Sequence, residues 1–222
     1  MAEAERVRAV YDRRVPTDDR YDLWRPDVIA RRAARERLWS NALRSVDRAP
    51  GHVLEAGCGS GSVLRWVREI GAEVTIGFDL IGDRLAESHA RNPAVLTAMA
   101  DCQAIPAAPA TFDTVLCSTL FSSVLDPVSR SAIGRELDRI LRPGGVVLWF
   151  DLSRDNPRNR DVVGIGRAEV ARLFPGYSGR LSRCVLAPPI ARAIGDHRAL
   201  AAMLEALPPL RTHLAGGLVK PG

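Results

Sequence analysis

Lysine is almost missing from this chain. Of 31 basic residues among 222, only Lys220 is lysine and the other 30 are arginine. Aromatic residues make up 5% of the chain, and they are not interleaved with basic residues as on single-stranded nucleic-acid binders. No stretch reaches the roughly 18 consecutive apolar residues of a membrane helix. The opening Met-Ala-Glu-Ala-Glu-Arg has no apolar core of a signal peptide, so a cytoplasmic protein without a membrane association is expected. Four cysteines are present (Cys58, Cys102, Cys117, Cys184), with no CxxC or CxxH spacing. That argues against a structural zinc and for reduced thiols.

With 46% apolar and 26% charged residues and mean hydropathy near zero, the chain is ample for one domain with its own core. A disordered chain is excluded. The formal charge of +5 is uneven. Residues 1–50 carry 12 arginines against nine acids, residues 51–150 eight against 11, and residues 151–222 eleven basic residues against six acids. Codon bias in a GC-rich genome accounts for arginine over lysine. The acidic middle between basic flanks is a separate feature, and it points to a negatively charged small molecule held by the flanks.

Short apolar runs alternate with helical patterns from His52 onward. His52–Ala56, Val74–Phe78, Val95–Met99, Phe112–Cys117 and Val146–Asp151 read as strands. Ser62–Ile70, Gly82–Arg91 and Pro127–Leu141 read as helices, the last ended by Arg142-Pro143-Gly144-Gly145. Such alternation predicts an α/β fold: a Rossmann-like parallel sheet with helices on both faces. Further on, helices are expected near Arg167–Phe174 and Ala191–Leu207, and strands near Ser182–Ala187 and Arg211–Val219. Residues 1–50, broken at Pro16 and Pro26, read as a helical N-terminal cap or lid on a domain spanning 51–222.

The first strand runs into Glu55-Ala56-Gly57-Cys58-Gly59-Ser60-Gly61. Glycines there allow a sharp turn and close approach of backbone to a ligand. A dinucleotide fingerprint would need its third glycine at Ser62, so NAD is the weaker candidate. Asp79, ending the second strand, is placed to accept ribose hydroxyls. Asp101 and Cys102, after the third, suit an adenine edge, although Asp101 also reads as a helix N-cap.

The segments VLEAGCGSGSVLRWV, IGFDLIGDRL, ADCQAIP, FDTVLCSTLFSSVLDP and RELDRILRPGGVVLWFD occur in one order over residues 53–151. Together they resemble class I S-adenosylmethionine (SAM)-dependent methyltransferases of the small-molecule group related to ubiquinone-biosynthesis enzymes (a type 11-like domain). The resemblance implies a seven-stranded sheet with strand 7 antiparallel. It implies that Glu55, Gly57, Cys58, Gly59 and Gly61 cradle the methionine part of SAM. Asp79 would hold the ribose, Leu80 would pack on adenine, Asp101 and Cys102 would read the adenine edge, and Ser118 would line the methionine side. For Cys58 and Cys117, plain buried packing is the stronger expectation.

SAM is already activated, so methyl transfer needs alignment and exclusion of water more than a base. Related enzymes often carry His-His after strand four, where this chain has Ser122-Ser123. His52, His89, His197 and His213 lie at no expected strand C-terminus, which leaves Asp151 as the candidate base, against a structural role capping its loop. Asp151, Asp155 and Asn156 are too local for the metal site of catechol O-methyltransferases, so no metal is expected. Arg154 and Arg158, in the loop 153–166, are candidate acceptor ligands with Ser122. Tyr11, Arg14, Tyr21 and Trp24 are candidate lid residues. The expected function is methyl transfer to an O or N of a small metabolite such as a sugar or specialised-metabolite intermediate. RNA or protein methylation and noncatalytic SAM binding remain as alternatives. The Asn/Asp-Pro-Pro-Tyr motif of planar-amine methylation is absent, because strand four ends in Cys117-Ser118-Thr119-Leu120.

Overall fold

The structure, a computed structural model, describes residues 2–13, 25–195 and 197–222. Seven strands form one sheet in the order β3-β2-β1-β4-β5-β7-β6. These are β1 (His52–Ala56), β2 (Val74–Asp79), β3 (Leu96–Met99), β4 (Phe112–Ser118), β5 (Leu141–Leu152), β6 (Ser178–Leu186) and β7 (Arg211–Val219). The first five are parallel; β7 runs antiparallel to both β5 and β6. The strand order turns back between β1 and β4, the place where open α/β sheets form a crevice at their carboxyl ends.

The strands alternate residues between two apolar layers, as the two-residue period of a strand demands. On one face Leu54, Val115, Cys117, Val147 and Trp149 pack with Ile133 and Leu137 of α5 (Pro127–Ile140) and Val170 of α6 (Arg167–Leu173). On the other, Val53, Leu116, Leu148 and Phe150 meet Val67 of α3 (Leu64–Glu69) and Trp39 and Leu43 of α2 (Pro26–Ser45). Cys58, Leu64 and Val95 form a smaller cluster with Leu85 of α4 (Gly82–Arg91). Asp126 caps α5 through the Val128 and Ser129 N–H groups, and Pro127 supplies the preset φ of a first helical residue.

The N-terminal region is two structures rather than one cap. Trp39 of α2 is fully buried and donates Nε1–H to Trp149 O at 2.9 Å, so α2 is a core helix against the β5–β7 side of the sheet. The shorter α1 (Glu3–Asp12) lies instead over the 121–125 turn. Arg6 donates to Ser123 O at 2.5 Å, and Glu3 accepts from Leu125 N at 2.6 Å. Several sequence expectations change in detail. Strand β6 begins at Ser178 rather than Ser182. The helix expected over Ala191–Leu207 is split into α7 (Pro188–Ile194) and α8 (Arg198–Glu205), because Gly195 sits at φ 52°, ψ −129°. Strand β5 begins at Leu141 rather than Val146, pairing with Phe112 before a register shift. Among the described residues no helix is long and apolar enough to cross a membrane.

Candidate functional site

A cavity of about 390 Å³ opens at the carboxyl ends of β1, β2, β4 and β5, a size typical of small-molecule sites. Its two ends are built differently. At one, Gly57, Gly59, Asp79, Leu80, Asp101 and Cys102 line the wall. At the other, the wall is made by Tyr11 of α1, Arg31 of α2, Ser122, Leu152 and His213, and Arg35 of α2 lines the cavity beside Ser118.

Local hydrogen bonding shapes the glycine loop. Gly57 N and Cys58 N both donate to Phe78 O, Gly59 N to Asp79 Oδ2 at 2.7 Å, and Gly61 N to Cys58 O. The main-chain donors are therefore used within the loop, and no row of free N–H groups is left at 57–59 to cradle a pyrophosphate. Both Gly57 and Gly59 have positive φ, and a Cβ on Gly57 would come within 3.0 Å of Leu120 Cδ1. Asp79 also accepts from Ile81 N at 2.9 Å. Each carboxylate oxygen keeps a lone pair for a ribose hydroxyl. Asp101 is held by the Gln103 main chain at 2.9 Å and by the Gln103 amide.

Glu55 sits deeper, 2% exposed, and its Oε2 has no hydrogen-bond partner. Burial pushes its pKa up to about 8; Arg35 pulls it down and Asp79 pushes it up further. An unpartnered buried carboxyl oxygen beside a cavity is costly unless a ligand donor meets it. Arg35 lies buried against Trp39 and Phe150, its Cζ 5.2 and 5.8 Å from the two ring centres, and donates Nη1–H to Ser118 Oγ at 3.2 Å. Burial lowers its pKa, while Glu55 and Glu36 oppose that. SAM fits this donor set: the Glu55 oxygen suits the methionine ammonium, Arg35 its carboxylate, Asp79 the ribose diol, and Asp101 with Cys102 the adenine.

Several expected site residues are placed elsewhere. Asp151 is fully buried and does not line the cavity. Its Oδ2 accepts from Ser122 N at 3.1 Å and Oδ1 from Leu152 N at 2.8 Å, so it braces the turn after β4 rather than reaching an acceptor. The reason is strand alternation: Trp149 and Asp151 face the α5 side, Phe150 and Leu152 the α2 side. Burial raises its pKa to about 6, the main-chain donors opposing it. Gly61 also lies off the cavity; a Cβ there would collide with Ser88 Oγ and Asn92 Nδ2 of the α4 region, so its role is packing. Arg154 donates to Pro209 O at 2.9 Å and, like exposed Arg158, stands outside the cavity wall. Ser118, Ser122 and Tyr11 do line it, and Tyr11 Oη is 3.3 Å from Ser123 Oγ. Arg14, Tyr21 and Trp24 lie outside the described residues.

Arg35 was not singled out by sequence reasoning, and His213 was set aside with the other histidines because it lies at no expected strand C-terminus. Arg31, Arg35 and Trp39 follow one another at four-residue spacing, a stripe on one helix face. His213 could be found only with the direction of β7, which brings the start of that strand beside Leu152 at the end of β5.

In fold the chain is similar to solved SAM-dependent methyltransferases. Residues 54–149 match the family described as "Methyltransferase domain". The chain is 34% identical over 160 residues to malonyl-(acyl-carrier protein) O-methyltransferase of Enterobacter lignolyticus (strain SCF1), covering 67% of this chain and 62% of that protein. It is 32% identical over 143 residues to ubiquinone biosynthesis O-methyltransferase of Albidiferax ferrireducens, covering 62% of this chain and 54% of the relative. The chain thus spans less than two thirds of the length of these relatives. In fold it is similar to N-methyltransferase NodS from Bradyrhizobium japonicum WM9, crystallised with S-adenosyl-L-homocysteine (SAH). The TM-score is 0.73 at 17% identity, over 97% of this chain and 99% of that one.

Proposed function

We propose that the protein transfers a methyl group from SAM to an oxygen or nitrogen of a small-molecule acceptor. The carrying observation is a cavity with two unlike ends, in which an acidic end fits SAM and the other end is walled by α1, α2 and the β5–β7 edge. Bound SAM would supply a methyl carbon on positively charged sulfur, which a neutral or anionic nucleophile attacks in line. The chain's share is placement. Glu55, Arg35 and Asp79 hold the two halves of the cofactor, Asp151 fixes the turn at Ser122, and α1 covers the opening through Tyr11, Glu3 and Arg6.

Oxygen methylation is favoured by the curated relatives. An anionic acceptor is supported by Arg31 and Arg32 on the cavity wall, which carry the N-terminal part of the arginine excess to the site. A sugar or specialised-metabolite acceptor is one specific form of this reading. Nothing in the cavity favours RNA or protein. Transfer of labelled methyl from SAM into a cell extract, before and after nuclease treatment and removal of protein, tests it. Label is expected in the small-molecule fraction in both cases; label in RNA or protein alone overturns the acceptor class.

A further inference from the structure

Resting on that reading, we infer that His213 Nε2 is the hydrogen-bond acceptor that seats the attacking O–H or N–H of the acceptor molecule. Three observations carry this. First, antiparallel pairing sets His213 opposite Leu152, at the cavity end away from Asp79 and Asp101, and the ring lines the cavity although the residue is 3% exposed. Second, the ring is held in place. It stacks on Phe150 at 4.9 Å and 18°, and its Nδ1 lies 3.0 Å from Thr212 Oγ1. The Thr212 hydroxyl also lies 3.4 Å from Val185 O, and the tautomer that satisfies both contacts has Nδ1–H donating to Oγ1 and the lone pair on Nε2. Third, among the described residues Nε2 has no hydrogen-bond partner, unlike the carboxylate of Asp151, which is taken up by main-chain N–H groups.

The surroundings keep this imidazole neutral. Burial pushes its pKa down to about 3, with Arg31 acting in the same direction. Arg31 and Arg35 are the charged groups facing it from α2; β6 presents the Cys184 thiol opposite it, and β5 presents Phe150 and Leu152. So weak a base does not ionise a hydroxyl in advance. It orients the nucleophile and takes the proton late. As the acceptor's lone pair forms the bond to the methyl carbon, the electron pair of the broken C–S bond stays on sulfur, giving a neutral thioether. The acceptor's proton, now strongly acidic, passes to Nε2 and from there to water.

The test has two arms. Long-range ¹H–¹⁵N spectra of histidine-labelled protein loaded with SAH, with H213F to assign the ring, are expected to show the Nδ1–H form with no titration between pH 5 and 8. An Nε2–H form, or protonation in that range, overturns the proposal. In the labelled-methyl assay with protein-free extract, H213F is expected to lose at least 100-fold in rate while SAH affinity stays within twofold, and H213N to recover at least tenfold over H213F. Retention of rate in H213F, or equal loss in both variants with weakened SAH binding, overturns it. Failure of the wild-type protein to bind SAH would instead strike at the methyltransferase reading.

Discussion

The two ends of the cavity differ in how they are made. The cofactor end comes from contiguous turns directly after β1, β2 and β3, and its hydrogen bonds run between neighbouring segments, as from Gly59 N to Asp79. The acceptor end is assembled from α1, α2, the turn after β4 and the first residues of β7, far apart in sequence. The first is a local device repeated at each strand end; the second exists only once the topology is complete. Changes at the first should therefore act on SAM, and changes at the second on folding, closure or the acceptor.

The largest effect is expected where the acceptor end is also core. Trp39→Ala empties a fully buried indole site under α2 and removes its bond to Trp149 O. It should cost about 3–5 kcal/mol in denaturant unfolding. A loss below about 1 kcal/mol would show that α2 is a detachable cap.

Glu55 makes the cofactor end pH-sensitive. Burial holds its pKa up at about 8, above the ordinary carboxylate value of 4.5. The contribution of Glu55 to the stability of the ligand-free protein is thus full below pH 4.5 and is lost as pH rises from there through 8. A ligand ammonium beside Oε2 favours the ionised form, so SAH affinity should rise from pH 6 toward 8, by at most tenfold per pH unit, with proton release on binding. Titration calorimetry in buffers of different ionisation enthalpy reads this directly. Glu55→Gln should flatten both dependences, and an unchanged pH profile in that variant would assign the effect to another group.

Tyr11→Phe removes one hydroxyl contact at 3.3 Å to Ser123 Oγ and leaves the ring that packs against Arg84. A two- to fivefold change in acceptor KM with unchanged SAH affinity is expected. The smallest effect belongs to Arg154→Ala with Arg158→Ala, for which acceptor KM should stay within twofold. A tenfold rise would return the loop 153–166 to the acceptor site.

Much of the cofactor end was legible in sequence, because strand, glycine turn and terminal acid lie next to each other in the chain: Glu55, Gly57, Gly59, Asp79, Asp101 and Cys102 all stand in or beside the cavity wall. Gly61 stands off the cavity wall, packed against Ser88 and Asn92, and a glycine needed for packing looks the same in sequence as one needed for a ligand. Asp151 sat at the right strand end, but a one-residue phase decides which face of the sheet a side chain meets. Arg35 and His213 escaped for a different reason. Neither carries a local motif, and each reaches the cavity through long-range packing, Arg35 onto Phe150 and His213 beside Leu152. The break at Gly195 was hidden by an otherwise continuous apolar pattern from Ala191 to Leu207.

The division of the cavity rests on Asp79, whose two oxygens organise the glycine loop and face the ribose position. Calorimetric titration of the wild-type protein and Asp79→Ala with SAH tests it most directly, with circular dichroism confirming that the variant is folded and NADH as the control ligand. The account predicts one saturable SAH site in the wild type, no NADH binding, and an affinity at least 100-fold weaker in the folded variant. Equal SAH affinity in both proteins, or preference for NADH, would contradict it.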